Sequence, residues 1–253
     1  MRQMSSLGSV YRMAVMEFRL YIREPSAFFF TLLFPLLMML LFGSIWGNEP
    51  FEGAHFGYID MATSSFIGIV ILTSGIMTLT ITIASYREKG ILRRYMATPV
   101  SPATFLAAEM AAILTVTVMG VMLLLLAAVF VFGVHFWGSV FEEILAFLLS
   151  CCAVAGLGFI PASIAPTARS GSVIANILYF PMLFLSGAAL PRQMLPAFLK
   201  TISEVFPLTH AIRLMRGVWL GDGLLEYPLE LSVLAATSLV GAFFASRLFR
   251  WDR

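Results

Sequence analysis

Apolar residues in this chain come in long, nearly uninterrupted runs rather than in alternation. Runs long enough to cross about 30 Å of hydrocarbon as a helix need roughly 20 residues. They occur at 27–46, 62–86, 105–132, 144–165, 172–190 and 227–248. Barrel strands would instead be about ten residues long with polar lumen positions at every second place. The pattern predicts an all-α integral membrane fold of six transmembrane helices. The first run contains Pro35 and leads into no small-residue cleavage site, so it is expected to stay as an anchor.

Composition agrees. Of 253 residues, 60% are hydrophobic and 12% charged, with mean hydropathy +0.92, whereas soluble domains carry about 25% charged residues. A net charge of +2 gives no reason to expect a nucleic-acid partner. The placement of charge is more informative. With alternating topology one side receives Arg2, Arg12, Arg19, Arg23, Arg87, Lys89, Arg93, Arg94, Arg169, Arg247, Arg250 and Arg253. The other receives Glu49, Glu52, Asp60, Glu142 and Glu143. The positive-inside rule makes the first side, with both termini, cytoplasmic. The exception is the longer segment between the last two spans, which mixes both signs, and long translocated segments obey the rule poorly.

Three segments outside the spans stand out. Residues 10–24 place Arg12, Arg19 and Arg23 on one stripe with Met13, Val15, Phe18 and Ile22 elsewhere, the pattern of an interfacial helix. Pro25 turns the chain toward the membrane. Between spans two and three, residues 87–101 predict a short helix that gathers Ile91, Leu92, Tyr95 and Met96 on one side and leaves Arg87, Lys89, Arg93 and Arg94 elsewhere. Thr98 and Pro99 stop it, and Ser101 and Pro102 cap the next span. This is either a docking patch for a cytosolic groove or a basic loop resting on lipid. Residues 191–220 divide at their prolines into two short outer helices. One has Phe198, Ile202 and Val205 on a face and Lys200 and Glu204 at i, i+4. The other carries His210, Arg213 and Arg216 opposite Ala211, Met215 and Val218. The pair suits a re-entrant lid or a surface cap.

Catalytic signatures are absent from the sequence. Lys89 follows Glu88 and Lys200 follows Leu199, so no Gly-Lys-Ser/Thr loop exists to hold nucleotide phosphates. His55, His135 and His210 form no zinc-binding helix pair, and the adjacent Cys151 and Cys152 read as core residues rather than a disulfide or metal site. Glu109 lies about one turn inside the third span, where it is expected to snorkel, and Glu230 is expected at headgroup level. Thr78 and Thr82 share a side of the second span, and Asn176, Tyr179 and Phe180 share one of the fifth. These groups either face a cavity for amphipathic molecules or bridge helices. A lipid-acting enzyme using His210 or Glu109, and a secondary carrier, are further readings; the carrier lacks ionisable groups at mid-span.

Taken in order, three blocks resemble the membrane subunit of ABC-2 type exporters, the type V fold shared with ABCG-like transporters. They are the approach to the first span from Arg23 through Leu37, the stretch Arg87 to Ser101, and the pair Leu185 to Pro196 and Phe206 to Arg216. The resemblance covers the chain nearly end to end, as one domain over 1–253. It implies a permease subunit in the plasma membrane of a prokaryote, paired with an identical or related subunit. Two cytosolic ATPase copies would supply ATP and Mg chemistry, leaving this chain without cofactor, metal or catalytic residue. It assigns ATPase coupling to Arg87, Glu88, Lys89, Ile91, Leu92, Arg93, Arg94, Tyr95 and Met96. Spans two and five would line the pathway, with Thr73, Thr78, Thr82, Asn176, Tyr179, Phe180 and Phe184 as candidates. Phe198, Phe206, Pro207 and His210 would form its outer gate. The short loop 47–61 and modest first helix favour drug-like or lipid-like cargo over polysaccharide.

Overall fold

The computed structural model describes residues 29–53, 55–97, 101–190 and 192–248. The expected interfacial helix at 10–24 and the stop at Thr98 and Pro99 lie outside them. Among the described residues six helices are long and apolar enough to cross a membrane. These are α1 (Phe29–Trp46), α2 (Tyr58–Glu88), α4 (Pro102–Phe132), α5 (Val140–Ile164), α6 (Ala168–Leu185) and α9 (Pro228–Leu248). Between them lie the short helices α3 (Ile91–Met96), α7 (Ala197–Ser203) and α8 (Pro207–Trp219).

Local chemistry sets the boundaries, and several differ from those read from apolar runs. Helix α2 starts four residues before its apolar run, because Asp60 turns back to accept the Gly57 N–H at 2.8 Å. Helix α4 starts where Ser101 accepts the Thr104 N–H at 3.1 Å, with Pro102 in the first turn. It ends at Gly133, which takes the left-handed conformation at φ +62°. The Val134 N–H then reaches back to the Ala128 carbonyl at 3.2 Å. Helix α6 begins at 168 rather than 172, because Thr167 and Ser170 cap each other reciprocally. It stops at Leu185 instead of running to 190.

Helix α2 is the axis of the bundle. Its neighbours are α1, α4, α5, α6 and α8, and its residues are buried almost all round. That explains a run apolar on every face. The most extensive pairing is α9 on α5, where two glycines meet. A Cβ on Gly241 would stand 2.5 Å from Gly156 backbone atoms, so the helices touch main chain to main chain. Cys151 is buried and Cys152 exposed, both as free thiols.

Candidate functional site

The segment after α2 is a hinge followed by a short anchored helix. Gly90 takes φ +69°, a conformation that suits glycine, and turns the chain into α3. Leu92 is fully buried in a cluster with Ile83, Tyr86, Phe105 and Ala108, with Ile91 and Tyr95 packed against it. The Tyr95 and Phe105 rings lie 5.5 Å apart. The apolar side of α3 is therefore spent on its own bundle, contrary to an apolar patch offered for docking. Glu88, Lys89, Arg93 and Arg94 remain exposed.

Arg87 points inward instead of outward. Its Nη1 donates to the carbonyls of Ala162, at 2.9 Å, and Ala165, and its Nη2 to that of Ser163 at 3.3 Å. These are orphan carbonyls at the end of α5, where a cation is favoured. Next to it, Glu88 accepts the Ala168 N–H at 2.8 Å, at the start of α6, where an anion is favoured. Consecutive residues of opposite sign thus tie the end of α2 to both sides of the α5–α6 turn.

Midway along α2, Thr73–Thr78 form a π-helical turn. Its hydroxyls reach three neighbours. Thr73 Oγ1 lies 3.1 Å from Tyr179 Oη of α6, Thr117 of α4 donates to Ser74 at 2.7 Å, and Thr78 Oγ1 lies 3.3 Å from Thr31 Oγ1 of α1. Gly75 packs backbone to backbone on Ala155 and Gly158 of α5. Of the pathway candidates, Thr73, Thr78 and Tyr179 are thus buried within this chain and bonded to it. Thr82 and Asn176 are half-buried, Asn176 lying at 3.5 Å from Ser172, while Phe180 and Phe184 are exposed and stacked. Ser74 is one of several hydroxyls visible in the second apolar run, but Thr117 is not singled out by the sequence, because a lone hydroxyl in an apolar run does not declare its partner.

At the opposite end of the bundle, charges that sequence spacing placed on a free face are drawn inside. Glu204 joins Arg192 and Arg213, and Arg213 also donates to Glu230 at 2.8 Å. Glu230, expected at headgroup level, is buried by this pairing. Burial acts to raise the Glu204 carboxyl, and hydrogen bonds from Arg213 and Arg192 outweigh it, leaving the pKa below the usual range. Helix α8 is two-faced as its spacing predicts, but its polar side is covered as well as its apolar one. Of the gate candidates, Phe198 is exposed, Phe206 half-buried, and Pro207 and His210 buried. His210 Nε2 lies 2.9 Å from the Glu204 carbonyl. Glu109 is buried too, rather than at the surface.

A second node surrounds Asp60, which accepts N–H groups from Gly57, Asn48 and, at 3.0 Å, the His135 backbone. It locks the loops that follow α1 and α4 to the start of α2. The signal in sequence was an acidic residue three places after a glycine at a helix start. Among the described residues no three His, Cys, Asp or Glu side chains cluster as a metal site.

Six helices long and apolar enough to cross a membrane, with a short basic helix between the second and third, define a multi-span helical membrane protein. The ABC-2 type transporter profile matches residues 9–220, and the chain belongs to that family. It is similar to the inner membrane transport permease YhhJ of Escherichia coli K12, at 26% identity over 209 residues, 81% of this chain and 54% of the relative. It is also similar to nodulation protein J of Rhizobium meliloti 1021, at 30% identity over 114 residues, 45% of this chain and 44% of the relative. The alignments thus span about half the length of these curated relatives.

Proposed function

We propose that this chain is the membrane subunit of an ATP-driven exporter that moves hydrophobic or amphipathic small molecules, drug-like or lipid-like, out of the cytoplasm. The end carrying α3 faces the cytoplasm, as its basic residues favour. The assembly holds two permease subunits, identical or related, and two cytosolic ATPase copies that bind ATP and Mg. The relative named as an inner membrane transport permease supports both transport and placement in a prokaryotic plasma membrane.

The observation that carries the reading is the staple at Arg87 and Glu88. A partner that grips the exposed Lys89, Arg93 and Arg94 moves α3. Because Leu92 and Tyr95 anchor α3, the push passes to the end of α2 and from there to the α5–α6 turn. Helix α6, whose Phe180 and Phe184 face outward, is then repacked between discrete states. Docking and transmission are thereby assigned to different residues.

Affinity purification of the tagged chain from its host, with partners identified by mass spectrometry, tests this. An equimolar partner carrying a phosphate-binding Gly-Lys-Ser/Thr loop is expected, and Arg93→Glu with Arg94→Glu should remove it while leaving the chain in the membrane. Arg87→Ala should keep the partner bound but abolish transport. Recovery of the chain alone, under conditions where other membrane complexes survive, would overturn the proposal.

A further inference from the structure

Arg216 is the cation that the network around α8 leaves over. One turn earlier, Arg213 is satisfied by Glu204 and Glu230. Arg216 meets no carboxylate among the described residues; its Nη2 donates to Ser65 Oγ at 2.9 Å, and its Nε is buried with no partner. The carbonyl end of α8 offers partial compensation, while Arg213 nearby adds repulsion. A half-buried guanidinium held by one hydroxyl and a helix end, with its Nε buried and unpartnered, is better compensated when an anion joins it.

The guanidinium lines a small, open cleft with Tyr58, Ser65, Phe66, Ala188 and Phe42, about 370 Å³ of space between atoms when the open solvent at its mouth is counted. Only about 20 Å³ of it is clear for a water-sized group, which suffices for one oxygen-sized occupant. A whole drug-sized molecule does not fit inside, whereas one oxygen of a larger head does. Phe42 makes the wall shared with α1, and on an adjoining side of α1 Leu37, Leu41 and Ile45 are exposed as an apolar strip. Polar recognition in the cleft and an apolar track beside it require a ligand with both characters.

We propose that this cleft binds the oxyanion of an anionic amphiphile, a phosphate or carboxylate head paired with Arg216 and Ser65, with its apolar tail along α1. The site belongs to the single chain and needs no ATPase, so it stands or falls apart from the exporter reading.

The test is native mass spectrometry of the full chain released from phosphatidylcholine nanodiscs doped with phosphatidylglycerol. The wild-type chain should retain phosphatidylglycerol in preference to phosphatidylcholine. Arg216→Gln should weaken that retention about ten- to hundred-fold, the range for losing a charge-assisted hydrogen bond, and Ser65→Ala should weaken it less. Wild-type retention by a folded Arg216→Gln chain would overturn the proposal. If that variant does not fold, Arg216→Lys combined with Ser65→Ala carries the test, and unchanged retention again overturns it. Excess inorganic phosphate should compete poorly, since it lacks the tail; full displacement by it would mark a free-anion site and overturn the amphiphile assignment.

Discussion

At the scale of single residues, two carboxylates converge on one guanidinium at the end of the bundle that carries α8. Glu204 and Glu230 share Arg213 but differ in exposure, with side chains 39% and 7% exposed. The attraction between Arg213 and the more buried Glu230 is less screened by water, so Glu230→Gln should cost about 1 to 3 kcal/mol and Glu204→Gln about 1 kcal/mol or less. Thermal unfolding in mild detergent reads both, and the reverse order would refute this ranking. The pH dependence follows from the sign of the shift. The folded-state pKa of Glu204 is lowered, so its contribution is present above the ordinary carboxylate range and is lost as pH falls through the depressed value. The melting temperature should therefore drop on acidification, and less so in Glu204→Gln. None of these partners was legible in sequence, where i, i+4 spacing pointed to Lys200. Arg192 and Arg213 meet Glu204 only because two short helices fold back on one another.

At the scale of elements, the long helices were legible and their ends were not. An apolar run reports which residues avoid water, but a helix end is decided by a few polar contacts such as Asp60 on Gly57 and Thr167 with Ser170. Small residues fix the helix contacts. Gly241 on Gly156 leaves no room for a side chain, so Gly241→Val should separate α9 from α5 and cost about 1 to 3 kcal/mol or more. Phe243→Ala, on the exposed side of α9, should be nearly neutral. Equal melting temperatures for the two variants would contradict the contact. The basic segment at 87–101 is recognisable in the sequence as a helix with two kinds of side chain, but spacing alone does not show that its apolar side is covered from within the bundle. Leu92 looked available because Phe105, which covers it, comes from the following helix.

At the scale of the whole molecule, α2 is wrapped by its own chain, whereas α6 exposes Val173, Ile177, Phe180 and Phe184 in a row. Under the exporter proposal this row faces the second subunit or the pathway between them. Ile177→Cys should then form a cross-link between two copies in native membranes with a short bifunctional thiol reagent, in a background where Cys151 and Cys152 are Ser. A cysteine at Val240, on the outward side of α9, should not. Cross-linking at Val240 alone would place the seam elsewhere. Family membership was legible from three blocks because they lie in order along the chain, while the cleft at Arg216 was not, since Ser65 and Arg216 are 151 positions apart in sequence.

Helix α2 is gripped at one end through Asp60 and at the other through Arg87 and Glu88. A rod clamped twice cannot slide along its length without breaking a clamp, and between the clamps α2 is tied to its neighbours once more. There the Thr73–Thr78 turn winds more residues per circuit than the α-helix around it. That wider turn is also where α2 meets hydroxyls of α1, α4 and α6, so the helix is fastened at three heights, and a displacement of one end has to rearrange the middle before it reaches the other.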